Sequence, residues 1–387
     1  MLKDKTTAGL NLAALFMMIG VGMIVSLFPQ RIVELDGSGR NVGYVASAFA
    51  VAYIAFQVPV GSAADRFGFK RFIALGYFLC CAAGLCFYFS SGSAMIFLGR
   101  FIQGAGEVPV WSLASALLSI KYASAKGSSI GLYNAVCYIG LTAGPIVGVC
   151  LSRFCGAQGM FLLYFLLCLS GALLTLWLVE DIRPNGEAGR IDFSGITDIA
   201  KDGGVLLTLC GITLYGAGYG VLVTTLPVFL MQQKGFDSVF SGAFFSLFYI
   251  AISVSQLVTG KLSDRSGPNI YMILGLLASS VGFAAVPLLA SRGWLLAALT
   301  VTSLGLGVFY LASMIFLNET VDERFKGTIS GSYYLFFGLG LCFGPLAYSF
   351  AAGAAGDEAA LFGGAGLFVV FAALMAARTL RARRCLS

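Results

Sequence analysis

Twelve stretches of largely apolar residues, each about one membrane span long, follow one another along this 387-residue chain with little between them. They fall at roughly 9–30, 41–60, 72–90, 94–117, 128–152 and 157–179, then at 203–230, 238–260, 269–290, 294–317, 328–351 and 358–378. A helix needs about 20 such residues to cross the hydrocarbon core of a bilayer. Lipid offers backbone N–H and C=O groups no partner, so only helices or closed barrels can span it. Barrel strands alternate apolar and polar residues over about ten positions, and stretches such as Phe161 to Val179 do not alternate. Helices are expected. The chain is 58% hydrophobic and 11% charged, with a mean hydropathy of +0.90, against about 25% charged residues in a soluble domain.

The chain is also written twice. Lys126-Gly127, Gly131, Tyr133, Gly140-Leu141 and Gly144-Pro145 recur 200 residues later as Lys326-Gly327, Gly331, Tyr333, Gly340-Leu341 and Gly344-Pro345. Upstream, Gly61 to Arg66 is echoed by Gly260 to Arg265 at an offset of 199. Two related six-span halves follow, 1–179 and 203–387, and duplicated halves in membrane proteins usually hold a site between them. The long polar segment 180–202 reads as the linker. Ile191, Phe193, Ile196 and Ile199 could form a short amphipathic helix on the membrane surface there.

Basic residues set the orientation. With the N-terminus inside, 18 of the 24 Lys and Arg residues collect on one side, and five (Arg31, Arg40, Arg153, Lys234 and Arg292) lie on the other. Both termini are expected in the cytoplasm of a multi-pass cell-membrane protein. That asymmetry accounts for most of the +6 net charge, and charges confined to short loops argue against a nucleic-acid surface. The first span lacks a small-residue cleavage site and reads as a retained helix. The cysteines are dispersed without metal-ligand spacing, and histidine is absent, so neither a metal nor a cofactor is expected. With no Gly-x-x-x-x-Gly-Lys-Ser/Thr sequence and no room for a soluble catalytic domain, neither enzyme chemistry nor direct ATP-driven transport is expected.

The loop after the second span reads Gly61-Ser-Ala-Ala-Asp65-Arg66-Phe67-Gly68-Phe69-Lys70-Arg71. It resembles the Gly-x-x-x-Asp-Arg-x-Gly-x-Lys signature of the major facilitator superfamily, and it recurs after the eighth span as Gly260, Asp264, Arg265 and Gly267. Ala63 replaces the usual Leu, Phe69 the first basic residue, and the second copy lacks the basic tail. The resemblance implies that Asp65 meets the start of the eleventh span, around residues 327–330. By the repeat, Asp264 would meet the start of the fifth, around 127–129. A carboxylate against a helix N-terminus is favourable, and such contacts would gate the cytoplasmic side; ordinary loop solvation is the other reading.

In the fifth span, Gly140-Leu-Thr-Ala-Gly144-Pro145-Ile-Val-Gly148-Val149 resembles the Gly-x-x-x-Gly-Pro-x-x-Gly-Gly signature of proton-coupled antiporters in that superfamily, with Val149 in place of the last Gly. Gly144-Pro145 and Gly344-Pro345 then mark helix kinks, which imply antiport or are packing devices only. In the fourth span, Arg100-Phe-Ile-Gln103-Gly104-Ala-Gly106-Glu107 resembles the family's Arg-x-x-Gln-Gly motif. Spacings of three and four put Arg100, Gln103 and Glu107 on one helical face. Glu107 is the one acid deep within these spans, and a carboxyl buried there needs a partner or a watery cavity. It is the expected proton carrier. The alternative is a structural Arg–Glu pair, although about 10 Å separates the two residues along the axis.

Trp111, Asn134, Tyr138, Tyr219, Tyr249 and Tyr310 lie within spans and suit a cavity for amphiphilic or cationic organic molecules. The expected fold is an all-α bundle of twelve transmembrane helices in two pseudo-symmetric halves. The expected activity is alternating-access, proton-coupled antiport (efflux) of small amphiphilic organic molecules by a monomer. Its partners would be a small-molecule substrate, protons and membrane lipid. A proton-coupled carrier for a siderophore, sugar or organic anion remains the alternative, and an uncoupled channel or receptor the one from another class.

Overall fold

The structure, a computed structural model, describes residues 4–25, 27–37, 41, 43–182, 201–232, 234–235 and 238–384. The expected surface helix with Ile191, Phe193, Ile196 and Ile199 lies outside these residues, as do Arg40 and most of the 180–202 segment. Helices account for nearly all the rest. They are α1 (Lys5–Val25), α2 (Phe28–Asp36), α3 (Gly43–Phe67), α4 (Phe69–Tyr88), α5 (Ser93–Lys121) and α6 (Lys126–Leu178). After the 180–202 segment come α7 (Gly203–Gly220), α8 (Leu226–Gln232), α9 (Ser238–Ser266), α10 (Asn269–Leu288), α11 (Arg292–Thr320), α12 (Lys326–Ala355) and α13 (Asp357–Arg384).

Among the described residues eleven helical segments are long and apolar enough to cross a membrane. The twelfth expected span, 94–117, is in α5, whose Arg100, Gln103 and Glu107 hold its hydropathy down. Two spans share α6, which is interrupted at Gly156, where φ is 64° and ψ is 176°. Other boundaries differ from the sequence expectation. The first span breaks before Phe28, and the chain continues as the short helix α2, started by Pro29 and ended by Gly37 in the left-handed conformation. The seventh span passes through a wider-wound π turn at Val221–Thr225, beside which Thr224 Oγ1 donates to Gly220 O. Hydropathy does not register such local rewinding.

Two compact units are present. One comprises residues 1–123, 136–191 and 322–335; the other comprises 124–135, 192–321 and 336–387. These are not the sequence halves, because the first turns of α6 and α12 each group away from the remainder of their helix. In the first unit α5 packs on α3 and α4, and in the second α11 packs on α9 and α10. Small residues make both contacts close. A methyl on Gly76 of α4 would lie 2.5 Å from Gly106 O, and one on Gly275 of α10 would lie 2.8 Å from Gly305 O. Both pairs are related by the offset of 199, so the repeat extends from sequence to backbone packing. In lipid, such approach gains dispersion and helix–helix contact where no hydrophobic driving force exists.

Candidate functional site

A polar ladder runs along one face of α5. Arg100 Nη1 donates to Gln103 Oε1 at 2.8 Å, and Gln103 Nε2 donates to Glu107 Oε1 at 2.9 Å. Trp111 Nε1 reaches the other carboxylate oxygen at 3.3 Å. The i, i+3, i+4 register of the helix makes this chain of donors possible. Its upper end is held from outside: Arg100 Nε donates to Val45 O, and the guanidinium lies 4.5 Å from the Phe49 ring centre and 5.1 Å from that of Phe28. All four ladder residues are buried, Gln103 completely and Glu107 to 4% exposure. Gln103 therefore stands between Arg100 and Glu107, joining two groups too far apart for a direct pair.

The Trp111 ring lies 6.2 Å from Tyr138 and 6.3 Å from Tyr334. Tyr334, Phe28 and Phe49 went unnoticed in the sequence. The repeat carried a signal for Tyr334, because it occupies the column of Asn134 at the offset of 200. The remaining aromatic candidates meet in the second unit. Tyr215 links Tyr219 at 6.1 Å to Tyr310 at 5.4 Å, and Phe248 lies 5.2 Å from both Tyr219 and Tyr249. Asn134 joins neither group. It donates to Gln256 Oε1 at 3.4 Å, while Asn134 Oδ1 and Gln256 Nε2 have no hydrogen-bond partner. At the matching position of the first unit, Gln57 is fully buried with neither amide atom hydrogen-bonded.

Below these glutamines are two glycine seams. In the first unit, Asp65 accepts from Gly327 N at 2.6 Å, Thr328 N at 2.7 Å and Thr328 Oγ1 at 2.7 Å. In the second, Asp264 accepts from Gly127 N at 2.7 Å, Ser128 N at 2.8 Å and Ser128 Oγ. Each carboxylate takes the free N–H groups of a helix's first turn, where the helix dipole also favours negative charge. Backbone meets backbone beside them: a methyl on Gly61 would strike Gly327, and one on Gly260 would strike Gly127. Gly68 and Gly267 follow with φ of 94° and 79°, a left-handed turn suited to glycine that starts the next helix. Arg66 and Arg265 are exposed and Lys70 half-buried, so these cations stand apart from the seams.

Gly144-Pro145 and Gly344-Pro345 lie inside continuous helices. Gly144 packs on Gly22 of α1, and Gly344 packs on Ala217 of α7. Each site is thus at least a close helix crossing.

A buried charged ladder on a bundle of helices long and apolar enough to cross a bilayer fits a polytopic membrane protein. The model of the Major Facilitator Superfamily matches residues 10–345 and again 208–384. The chain belongs to that family; it is a transporter of small molecules and not an enzyme. It is 24% identical over 319 residues to the chromaffin granule amine transporter of Rattus norvegicus, covering 81% of this chain and 60% of that protein. It is 24% identical over 326 residues to the class B tetracycline resistance protein of Escherichia coli, covering 81% and 80%. The crystal structure of the human organic anion transporter MFSD10 (TETRAN) shares the fold with a TM-score of 0.83. That match is at 17% identity and covers 96% of this chain and 99% of that one.

Proposed function

We propose that this protein is a proton-coupled antiporter that exports small amphiphilic organic molecules, with Glu107 as the proton carrier. The observation that carries the reading is the Arg100–Gln103–Glu107–Trp111 ladder. Both oxygens of one deeply buried carboxylate are engaged by neutral donors, and its cation is held one residue away by Gln103. Protonating Glu107 would weaken its acceptance from Gln103 and Trp111 and free the Trp111 ring to move. A substrate carrying positive charge would compete with the proton for the same carboxylate, which makes the exchange obligatory. Trp111 and Tyr138, with Asn134, Tyr219, Tyr249 and Tyr310, would supply flat apolar faces with polar edges. The names of the amine transporter and tetracycline resistance relatives support an organic substrate, and Gly144-Pro145 in its antiporter-like setting supports export.

In this reading the Asp65 and Asp264 seams hold the cytoplasmic side closed, and their release opens it. Residues 1–179 and 203–387 are the moving halves, and 180–202 joins them. The protein acts as a monomer in the cell membrane with both termini cytoplasmic. Quenching of a pH-sensitive dye in inverted vesicles, screened across amphiphilic cations, tests the reading. Addition of a substrate should release protons from wild-type vesicles. Glu107→Gln keeps the shape and removes the titration, so proton-driven transport should fall at least tenfold while substrate exchange partly survives. Normal proton-coupled transport by that variant overturns the assignment. Flux of an organic anion by symport would favour the metabolite-carrier alternative, with Arg100 as the anion's partner.

A further inference from the structure

The second unit contains an apolar cavity of about 370 Å³, remote in sequence from the α5 ladder. Phe283 of α10 and Phe368 of α13 lie at its wall, stacked at 5.6 Å. Ala347 and Ala351 of α12 face Gly363 and Gly364 of α13 across it. Small side chains alone do not make a site. Here they leave a volume roughly twelve times the ~30 Å³ that a water molecule occupies in the liquid, and methyl groups added at Gly363 or Gly364 would meet nothing within 4 Å.

Four features bear on what could fill it. The flanking segments, Glu323–Ala355 and Asp357–Arg381, are both apolar enough to span a bilayer, so the medium around the cavity is hydrocarbon. Ala347, Gly363 and Leu367 are exposed on the surface of the unit, so the cavity opens into that medium. Its one side-chain hydroxyl, Tyr348 Oη, is already committed to Asp357 Oδ1 at 2.8 Å, and every other lining side chain is hydrocarbon or absent, so the lining offers a water molecule few of the partners it needs. The mouth is charged in one sense. α13 begins at the left-handed Gly356 with Asp357 and Glu358 in its first turn, between the lining residues Ala355 and Ala359, where the helix dipole favours negative charge. An apolar slot beneath two carboxylates matches an amphiphile with a chain and a cationic head.

We propose that this cavity is a lipid site holding one acyl chain of a phospholipid whose ammonium headgroup lies at Asp357 and Glu358. The test uses the full chain in nanodiscs of phosphatidylcholine containing a trace of phosphatidylethanolamine with a photoreactive diazirine in its acyl chain. After illumination, cross-links are mapped by mass spectrometry. The expected result is labelling of residues 347–368 several-fold above the exposed lipid-facing positions Leu173 and Trp177. The double variant Gly363→Leu/Gly364→Leu fills the open space and should lose that labelling several-fold while leaving labelling elsewhere unchanged. Asp357→Asn with Glu358→Gln should keep the chain but abolish preference for the ethanolamine probe over a matched phosphatidylglycerol probe.

Labelling spread evenly over all lipid-facing helices, or unaffected by the leucines, overturns the proposal. Loss of labelling on adding tetraphenylphosphonium also overturns it, because the cavity would then be a substrate subsite. The readout involves no transport, so it stands or falls separately from the role of Glu107. Equal labelling in Glu107→Gln confirms that separation.

Discussion

α5 and α11 are the same helix of the repeat, placed by the same glycine contacts, and they carry different chemistry. At the offset of 199 fixed by Gly106 and Gly305, Arg100 becomes Leu299, Gln103 becomes Thr302 and Glu107 becomes Leu306, whereas Trp111 becomes Tyr310. The counterparts are as buried as the originals, but Thr302 Oγ1 turns back to Ala298 O in its own helix. The seams show the opposite history. Asp65 and Asp264 each accept two backbone N–H groups and one hydroxyl, within about 0.1 Å of each other for the matching backbone bonds. Duplication preserved the parts that hold helices together, and of these two helices only α5 carries buried charge among the described residues. A buried charge is costly wherever it lies, so one copy suffices if it serves chemistry and not packing.

The comparison breaks most easily at Arg100. Lysine cannot reach Val45 O and Gln103 Oε1 together, nor lie as a plane against Phe49. Leaving one such buried group unsatisfied costs about 1–3 kcal/mol, so Arg100→Lys should reduce transport roughly tenfold or more in the vesicle assay. Leu299→Met in the other copy should stay within about twofold. Full activity of Arg100→Lys would make Arg100 a generic cation, and a large loss in Leu299→Met would mean α11 carries hidden chemistry.

A second asymmetry concerns the buried amides above the seams. Gln57→Leu removes an amide neither of whose polar atoms meets a partner at hydrogen-bond geometry and should slow exchange in its seam. Gln256→Leu should slow it less, because it strands Asn134. Hydrogen exchange at the 327–328 and 127–128 amides would read the two cases separately. Slowing of both by equal amounts would show that Asn134 contributes nothing.

The seams themselves should respond alike. Asp65→Asn and Asp264→Asn each remove a charge-to-dipole interaction of about 0.3–1 kcal/mol. Exchange at Gly327 and Thr328, or at Gly127 and Ser128, should accelerate severalfold in the matching variant alone. A large gap between the two would end the equivalence of the copies.

The smallest effect is expected at the helix ends that meet near the N-terminus. Asp4 caps α1 through Thr7 N, accepts from Tyr122 Oη and sits 3.0 Å from Lys121 Nζ, which also contacts Glu180 Oε2 at 2.6 Å. Burial opposes its ionisation, but the hydrogen bonds from Thr7, Lys121 and Tyr122 and the Lys121 charge prevail and bring its carboxyl to about 2. Because the folded value is depressed, the stabilisation is fully present above the ordinary carboxylate range near 4. It is lost only as pH falls toward 2. In the other copy Asp202 caps Gly204 and Val205 and meets Arg378 at a looser 3.7 Å. Asp4→Asn should cost about 0.2–1 kcal/mol, as for exposed ion pairs. Thermal unfolding from pH 7 to pH 3 should show the Asp4→Asn deficit unchanged down to pH 4 and shrinking below it. A deficit that vanishes by pH 5 would remove the clasp.

Most of the fold was legible because a bilayer reduces the question to one of length and apolarity, and the family resemblance with the repeat pointed to the seams. The family resemblance implied that Asp65 meets 327–330, and the repeat carried that placement to Asp264 and 127–129; the contacts fall at 327–328 and 127–128. The break before Phe28 and the π turn at Val221–Thr225 were not legible, whereas the interruption at Gly156 falls between the two spans read from the sequence. Both of the unread features are changes in backbone winding within residues that stay apolar. At the candidate site, α5's own register put Arg100, Gln103 and Glu107 on one face. Which of the many span tyrosines reaches Trp111 depended on tertiary packing, and Tyr334 and Phe49 emerged only there.

Glycine has no rotamers, and that has a consequence for Gly61, Gly127, Gly260 and Gly327. A contact between side chains can be adjusted by degrees, a methyl here or a turned ring there. These contacts lie between main chains, and even one added carbon at any of the four would strike the opposing backbone. Such an edge is in register or it is apart, with no intermediate grip for mutation to explore. Evolution can therefore tune these joints only from their margins, at Thr328 or Ser128 and at Gln57 or Gln256, while the glycines stay fixed like the teeth of a key.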